Sequence, residues 1–141
     1  MILLARNPSR AQNFQWLKGV NTTHSIKGID VKFDNNHNIY VVGSFVAPID
    51  YNGTILNGFA GGNLEDIFLA KYDSLGNFLW VVEAGGAQTD FPNSMSIDDS
   101  GYVYLAGRLA GPGPVIFDTD TLYTSNDNFF ICKYSSLGNI V

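Results

Sequence analysis

The sequence predicts an all-β chain made of two tandem copies of one four-stranded antiparallel unit. Three observations predict it: a fixed internal register, strands that are apolar on both faces, and the turn chemistry between them. Trp16 and Trp80, Asp34 and Asp98, Tyr40 and Tyr104, and Gly43 and Gly107 each lie 64 residues apart, without a gap. The run Asp66-Ile67-Phe68-Leu69-Ala70-Lys71-Tyr72 then recurs 62 residues later as Asn128-Phe129-Phe130-Ile131-Cys132-Lys133-Tyr134. Aromatics and glycines recurring in register at a period of this length are the signature of a repeat architecture. The two residues lost between Gly107 and Lys133 fall where the copies diverge, and a surface loop absorbs such a change.

The elements follow in order. Strand one spans residues 28–33 and returns as 92–97. A polar turn, Asp34-Asn35-Asn36-His37-Asn38 or Asp98-Asp99-Ser100-Gly101, leads to strand two at residues 39–43 and 103–107. A variable loop rich in Gly and Pro precedes strand three, Asp66–Tyr72 or Asn128–Tyr134. The turn Ser74-Leu75-Gly76-Asn77, repeated as Ser136-Leu137-Gly138-Asn139, opens strand four at residues 78–83. Gly76, Gly101 and Gly138 are expected to take positive φ, which tight hairpins require. Residues 13–16 read as a fourth strand with no preceding three, and residues 139–141 as the start of another. The expected organisation is an N-terminal tail at 1–12, a first repeat at 13–77 and a second repeat at 78–141, truncated in its fourth strand.

Strand three carries apolar side chains on both alternating faces, Ile67 to Ala70 and Phe129 to Cys132. A sheet with one wet face would alternate apolar and polar, so both faces here must be covered. Blades of a β-propeller meet that need, because each is sandwiched between neighbours. On this reading Trp16, Phe33, Tyr40, Phe68, Trp80, Ile97, Tyr104 and Phe130 form the core. A ring needs about 4–8 blades of four strands, so two blades are expected to be part of a larger or oligomeric propeller. The partners expected are other copies of the chain or other propeller chains.

Composition narrows the function. The chain of 141 residues is 45% hydrophobic and 15% charged, which excludes a disordered chain. Its net charge of −5 and lack of a Lys/Arg cluster argue against nucleic acid, whose phosphates call for a basic stripe, and against an anionic membrane surface. Cys132 is the single cysteine, so neither an intrachain disulfide nor a cysteine-rich zinc site can form. The opening run Met1-Ile2-Leu3-Leu4-Ala5-Arg6 is too short for a signal peptide or a membrane span, so an export signal is expected to lie outside this chain.

The stretches FQW, DNNHNIYVVGSF, IDYNG, DIFLAKYDSLGNFLWVV and MSIDDSGYVYLAG together resemble the bacterial SBBP β-propeller repeat, from Phe14 to Val141. Its pattern is a Trp strand, then D-x-x-G-N-x-Y-x-x-G, D-x-F-x-x-K-Y and G-N. The chain departs at His37, where the turn Gly is usual, and at Asn128, where an Asp opens the third strand. The resemblance implies an extracellular or cell-surface protein, large and multidomain, without catalytic activity or cofactor.

The chemistry-bearing residues have structural readings beside the functional ones. Asp34 to Asn38 alternates oxygens as a calcium loop does, but the turn Gly and distal Glu of such a loop are missing. A β-turn whose Asp accepts backbone N–H bonds accounts for the same residues. His24 and His37 have no metal-ligand spacing, and Cys132 aligns with the small Ala70 in mid-strand. Trp16 and Trp80 suit packing between blades or stacking on a sugar ring. Lys71 and Lys133 are expected to snorkel from the blade edge. Binding is expected on the loops that differ between copies, 46–64 and 110–126, because variable loops on a rigid scaffold carry function. The candidate ligand residues there are Asp50, Tyr51, Asn52, Phe59, Asp118, Asp120 and Tyr123. Two functions fit: a non-catalytic structural or protein-interaction module of a bacterial surface or secreted assembly, or a carbohydrate-binding propeller with sites between blades.

Overall fold

A computed structural model describes residues 16–141. It contains eleven strands and, among the described residues, no helix. The first copy of the repeat forms β1 (Ile26–Phe33), β2 (Ile39–Phe45), the short hairpin β3 (Ile49–Tyr51) and β4 (Thr54–Leu56), β5 (Asp66–Tyr72) and β6 (Phe78–Gly86). The second forms β7 (Phe91–Ile97), β8 (Val103–Leu109), the hairpin β9 (Gly113–Phe117) and β10 (Asp120–Thr124), and β11 (Asn128–Tyr134). Every pairing is antiparallel.

The sheet order departs from two separate four-stranded units. In the first copy β1-β2-β5-β6 lie side by side, and the sheet continues into β9-β10 of the second copy. The join is made by Ala84, Gly85 and Gly86 at the end of β6, which pair with Phe117, Ile116 and Val115. The second copy proper is a three-stranded sheet, β7-β8-β11, with one isolated bridge from Tyr134 to Ile140. The variable loops are largely hairpins rather than irregular chain. Of the fourth strand expected at residues 13–16, residues 13–15 lie outside the described residues, and Trp16 belongs to no described strand.

Four turns share one construction, centred on Asp34, Asp73, Asp98 and Ser135. In each, the N–H three residues on donates to the backbone carbonyl of the first residue, at 2.9–3.0 Å for His37, Gly76, Gly101 and Gly138. The side-chain oxygen of the first residue accepts the N–H groups two and four residues on: Asn36 and Asn38, Leu75 and Asn77, Ser100 and Tyr102, Leu137 and Asn139. The turn closes only if the fourth residue adopts the left-handed region, and φ is 79° at Gly76, 82° at Gly101 and 89° at Gly138. His37 stands at the same place with φ 61° and no glycine freedom.

Two apolar clusters hold the fold. One lies between the copies and joins Tyr40, Val42, Ile67 and Leu69 to Met95, Val103, Leu105, Phe130 and Tyr134. The other fills the far side of the first copy, where Phe45, Phe68 and Tyr72 meet Ile49, Tyr51 and Leu56 of the β3-β4 hairpin. Of the eight expected core residues, Tyr40, Phe68 and Phe130 are buried, and Trp80 and Ile97 are half-buried. Trp16, Phe33 and Tyr104 are exposed, a correction to the sequence expectation. Phe33 and Tyr104 are the repeat equivalents of Ile97 and Tyr40, which face each other across the inter-copy cluster. Their own faces have no neighbouring copy among the described residues.

The strained turn gives a test. Replacing His37 by Gly should raise stability by about 1 kcal/mol, because a non-Gly residue held at positive φ costs of that order, whereas Gly101→Ala should lower it. Urea unfolding of the two variants checks both signs, and equal destabilisation by both would refute the strain at His37.

Candidate functional site

The junction between the two copies is built from repeat-equivalent positions. β5 and β6 pair with Lys71 opposite Trp80. From there the Trp80 indole N–H donates to the Ser136 carbonyl at 3.3 Å, and Lys71 Nζ donates to the same oxygen at 3.1 Å. The Trp80 ring lies over Gly138, where a Cβ would come within 3.3 Å of it. At the other end of the chain, Trp16 covers Gly76 in the same way, leaving 2.8 Å for a Cβ. The tryptophans therefore pack on the turn glycine of the following unit. Lys71 does not snorkel outward: it is buried, with its ammonium 4.8 Å from the Tyr40 ring centre and 3.9 Å from an Asp34 carboxylate oxygen. Burial lowers its pKa, and Asp34 opposes that shift.

Asp34 has little capacity left for a cation. Its Oδ1 accepts two backbone N–H groups, and its Oδ2 accepts the Asn38 amide at 2.8 Å and the Tyr40 hydroxyl at 3.4 Å. Among the described residues no group of three or more His, Cys, Asp or Glu is placed to hold a metal ion. Burial pushes the Cys132 thiol up to about 12, so it stays protonated and weakly nucleophilic at neutral pH. A further link between the copies comes from Asp30, whose Oδ2 accepts the Met95 N–H of β7 at 3.0 Å.

The seven loop candidates do not form one site. Tyr51 is a core residue: its ring packs on Phe68 and Phe78, and it accepts a hydrogen bond from the Tyr72 hydroxyl at 3.0 Å. Asn52 takes φ 52° in the β3-β4 turn and its amide donates to the Tyr72 hydroxyl at 3.3 Å. Asp50 caps the same turn by accepting the Gly53 N–H at 2.6 Å. Asp118, with φ 54°, turns the other hairpin, and Asp120 and Tyr123 lie exposed on β10. Asp50, Tyr51 and Asn52 thus share the β3-β4 hairpin, while Phe59 and Asp118 line a shallow cleft with Ile55, Val82 and Glu83. Asp120 lies apart, on a groove beside β11.

A cluster of carboxylates escaped the sequence reading. Asp66, at the start of β5, is fully buried. Its Oδ2 accepts the N–H groups of Phe59 and Ala60 at 2.7 and 3.0 Å, while its Oδ1 has no hydrogen-bond partner. Gly85 leaves the space for that oxygen, since a Cβ there would stand 1.9 Å from it. Asp90, also buried, accepts the N–H groups of Gly86 at 2.7 Å and Ala110 at 3.1 Å. Glu83 accepts the Gly58 N–H at 3.0 Å. Burial pushes the Asp66 carboxyl up to about 6, the Phe59 and Ala60 amides oppose the shift, and the charges of Asp90 and Glu83 add to it. Burial also raises Asp90. In the sequence Asp66 is marked by its place at the head of the apolar run Ile67-Phe68-Leu69-Ala70, and in the second copy its place is taken by Asn128.

Repeated strands, one turn construction and a repeated Trp-on-Gly contact together describe a propeller repeat. The SBBP family, described as a beta-propeller repeat, matches residues 79–108. That match covers all but the first residue of β6, all of β7 and all but the last residue of β8, and it bears out the resemblance read from the residues. An uncharacterized WD repeat-containing protein of Acanthamoeba polyphaga mimivirus is 25% identical over 150 residues, covering 87% of this chain. The chain spans 11% of that relative's length.

Two measurements test the site. Trp80→Ala should cost about 3 kcal/mol, the low end for loss of a large aromatic because the ring is half-buried; a loss below about 1 kcal/mol in chemical denaturation would remove the packing role. Asp66 gives a pH dependence of defined sign. Its folded pKa lies above the unfolded value, so its contribution is fully present below about pH 4 and is lost as pH rises through about 6. Stability should fall between about pH 4 and pH 6, and Asp66→Asn should lessen that fall, with Asp90, raised in the same direction, giving a part that remains; an unchanged slope in the variant would assign the fall to other groups.

Proposed function

We propose that the chain is a non-catalytic propeller module that binds protein through its blade faces, within a surface or secreted assembly. One observation carries the reading. Tyr40, Ile67 and Leu69 are buried in the junction at 0%, 1% and 1% exposure, while their equivalents on the second copy, Tyr104, Phe129 and Ile131, are exposed at 37%, 79% and 68%. An apolar surface of this kind marks an interaction site, and the position of each side chain within the repeat says what chemistry covers it: another blade. Propeller folds host many activities, so function has to be argued from the site. Here the polar side chains near the junction serve turns and inter-copy contacts. The resemblance to the SBBP repeat supports the surface or secreted setting.

The alternative is a glycan-binding propeller using the cleft at Phe59, Asp118 and Glu83 and the exposed Tyr123. A photo-crosslinking residue placed at position 129 in the source cells should trap propeller-repeat chains, and one at position 123 should not. A glycan array showing saturable binding that is lost in Phe59→Ala or Tyr123→Ala would replace the interaction reading with the lectin reading.

A further inference from the structure

We propose that residues 57–64 form a strap over Asp66 that is closed at acid pH and opens as Asp66 ionises, taking Phe59 out of its cleft.

The strap links the β3-β4 hairpin to β5. Among the described residues no backbone–backbone hydrogen bond reaches it, in a ladder or outside one. Two carboxylates hold its backbone instead. Asp66 Oδ2 accepts the Phe59 and Ala60 N–H groups at 2.7 and 3.0 Å, and Glu83 of β6 accepts the Gly58 N–H at 3.0 Å. The approach is close: a Cβ on Gly58 would stand 2.7 Å from Asp66 Oδ2 and 2.5 Å from the Ala47 Cβ. Beyond Ala60 the strap is loose, and a Cβ on Gly61 or Gly62 would meet nothing within 4 Å. The strap is thus clamped at 58–60 and has two glycines beside the clamp to absorb a change in backbone angles.

The clamp works against its own charge. Asp66 is fully buried and its Oδ1 has no hydrogen-bond partner, so an ionised carboxylate there has lost water that nothing replaces. The groups facing it carry the same sign. Glu83 lies on β6, and Asp90 lies on the segment between β6 and β7. Asp118, in the β9-β10 turn, shares the cleft with Glu83. Lys27 of β1 pairs with Glu65, and Arg108 of β8 with Asp127, so neither offsets these charges. A proton on Oδ1 removes the charge and leaves Oδ2 as the acceptor for both strap amides. The ionised group regains water only when the strap lifts. Its closed-state pKa of about 6 lies above the ordinary carboxyl value, so closure is fully favoured below about pH 4 and is lost as pH rises through about 6. Phe59 lines the cleft with Ile55, Val82 and Glu83, so the cleft keeps this wall only while the strap is down. The second copy has the exposed Asn128 in place of Asp66 and lacks the ionising group.

The test is amide hydrogen exchange of the whole chain, followed by NMR from pH 4 to pH 7, with each rate normalised to its intrinsic rate at that pH. Phe59 and Ala60 should exchange at least about tenfold faster than the amides of the β2-β5 ladder, as local opening requires. Their protection should fall at least about tenfold between about pH 4 and pH 6 and level off above. Asp66→Asn keeps a carbonyl for the strap amides but does not ionise, and should shrink that fall to below about threefold. Glu83→Gln keeps an acceptor for Gly58 and removes a like charge. It should raise the protection of Phe59 and Ala60 at pH 7 at least about twofold, and it decides the matter if Asp66→Asn does not fold. Exchange of Phe59 and Ala60 in step with the ladder, protection that ignores pH, a full fall retained in Asp66→Asn, or no gain in Glu83→Gln would each overturn the proposal.

Discussion

A strand with apolar side chains on both faces cannot lie against water on either, and most of this structure answers that constraint. β5 is the clearest case: all seven of its residues are buried. Ile67 and Leu69 point into the cluster shared with the second copy, while Phe68, Ala70 and Tyr72 point into the cluster closed by the β3-β4 hairpin. Each face is covered by a different part of the chain, so the repeat is a unit only in company. β11 has the same pattern, but only its inner face, with Phe130, Cys132 and Tyr134, is covered by the first copy. This asymmetry between equivalent strands is where the molecule exposes its chemistry.

The polar groups at the junction serve packing geometry. A ring as large as indole can close over the next unit only where the turn beneath it has no side chain, and the same glycine must take positive φ to close the turn. Gly76 and Gly138 satisfy both demands at once. The nearby carbonyl of Ser136 then gathers the Trp80 and Lys71 donors, so burial of a lysine is compensated by a hydrogen bond and by the Asp34 carboxylate. A buried charge without such partners would cost several kcal/mol.

The carboxylates at the opposite end of β5 show a different balance. Asp66, Asp90 and Glu83 each accept backbone N–H groups from segments that enter or leave strands, which ties the 58–60 loop, β6 and the start of the β9 hairpin region together. They do so close enough to repel, and Asp66 retains an unpartnered oxygen. Asp66 and Asp90 organise the backbone and weaken it as they ionise. Asn128 in the second copy keeps a polar group of the same shape without the charge, and it is exposed.

The sequence by itself determined the repeat, the position of the main strands and the turns. These are local or periodic properties: a side chain accepting N–H groups two and four residues on, a glycine needed for positive φ, and apolar runs too short for helices. The hairpins within the variable loops were not legible, since their strands are three to five residues long and their apolar residues too few to show a period. Only the tertiary structure decided that β6 pairs with β9 of the other copy, that Tyr51 is core while Tyr123 is not, and that Asp66, Asp90 and Glu83 meet. It also decided that Ile67 is buried and Phe129 exposed, although the repeat makes them equivalent. Burial depends on which neighbour stands against a face, and equivalent positions in a repeat carry equal patterns but unequal neighbours.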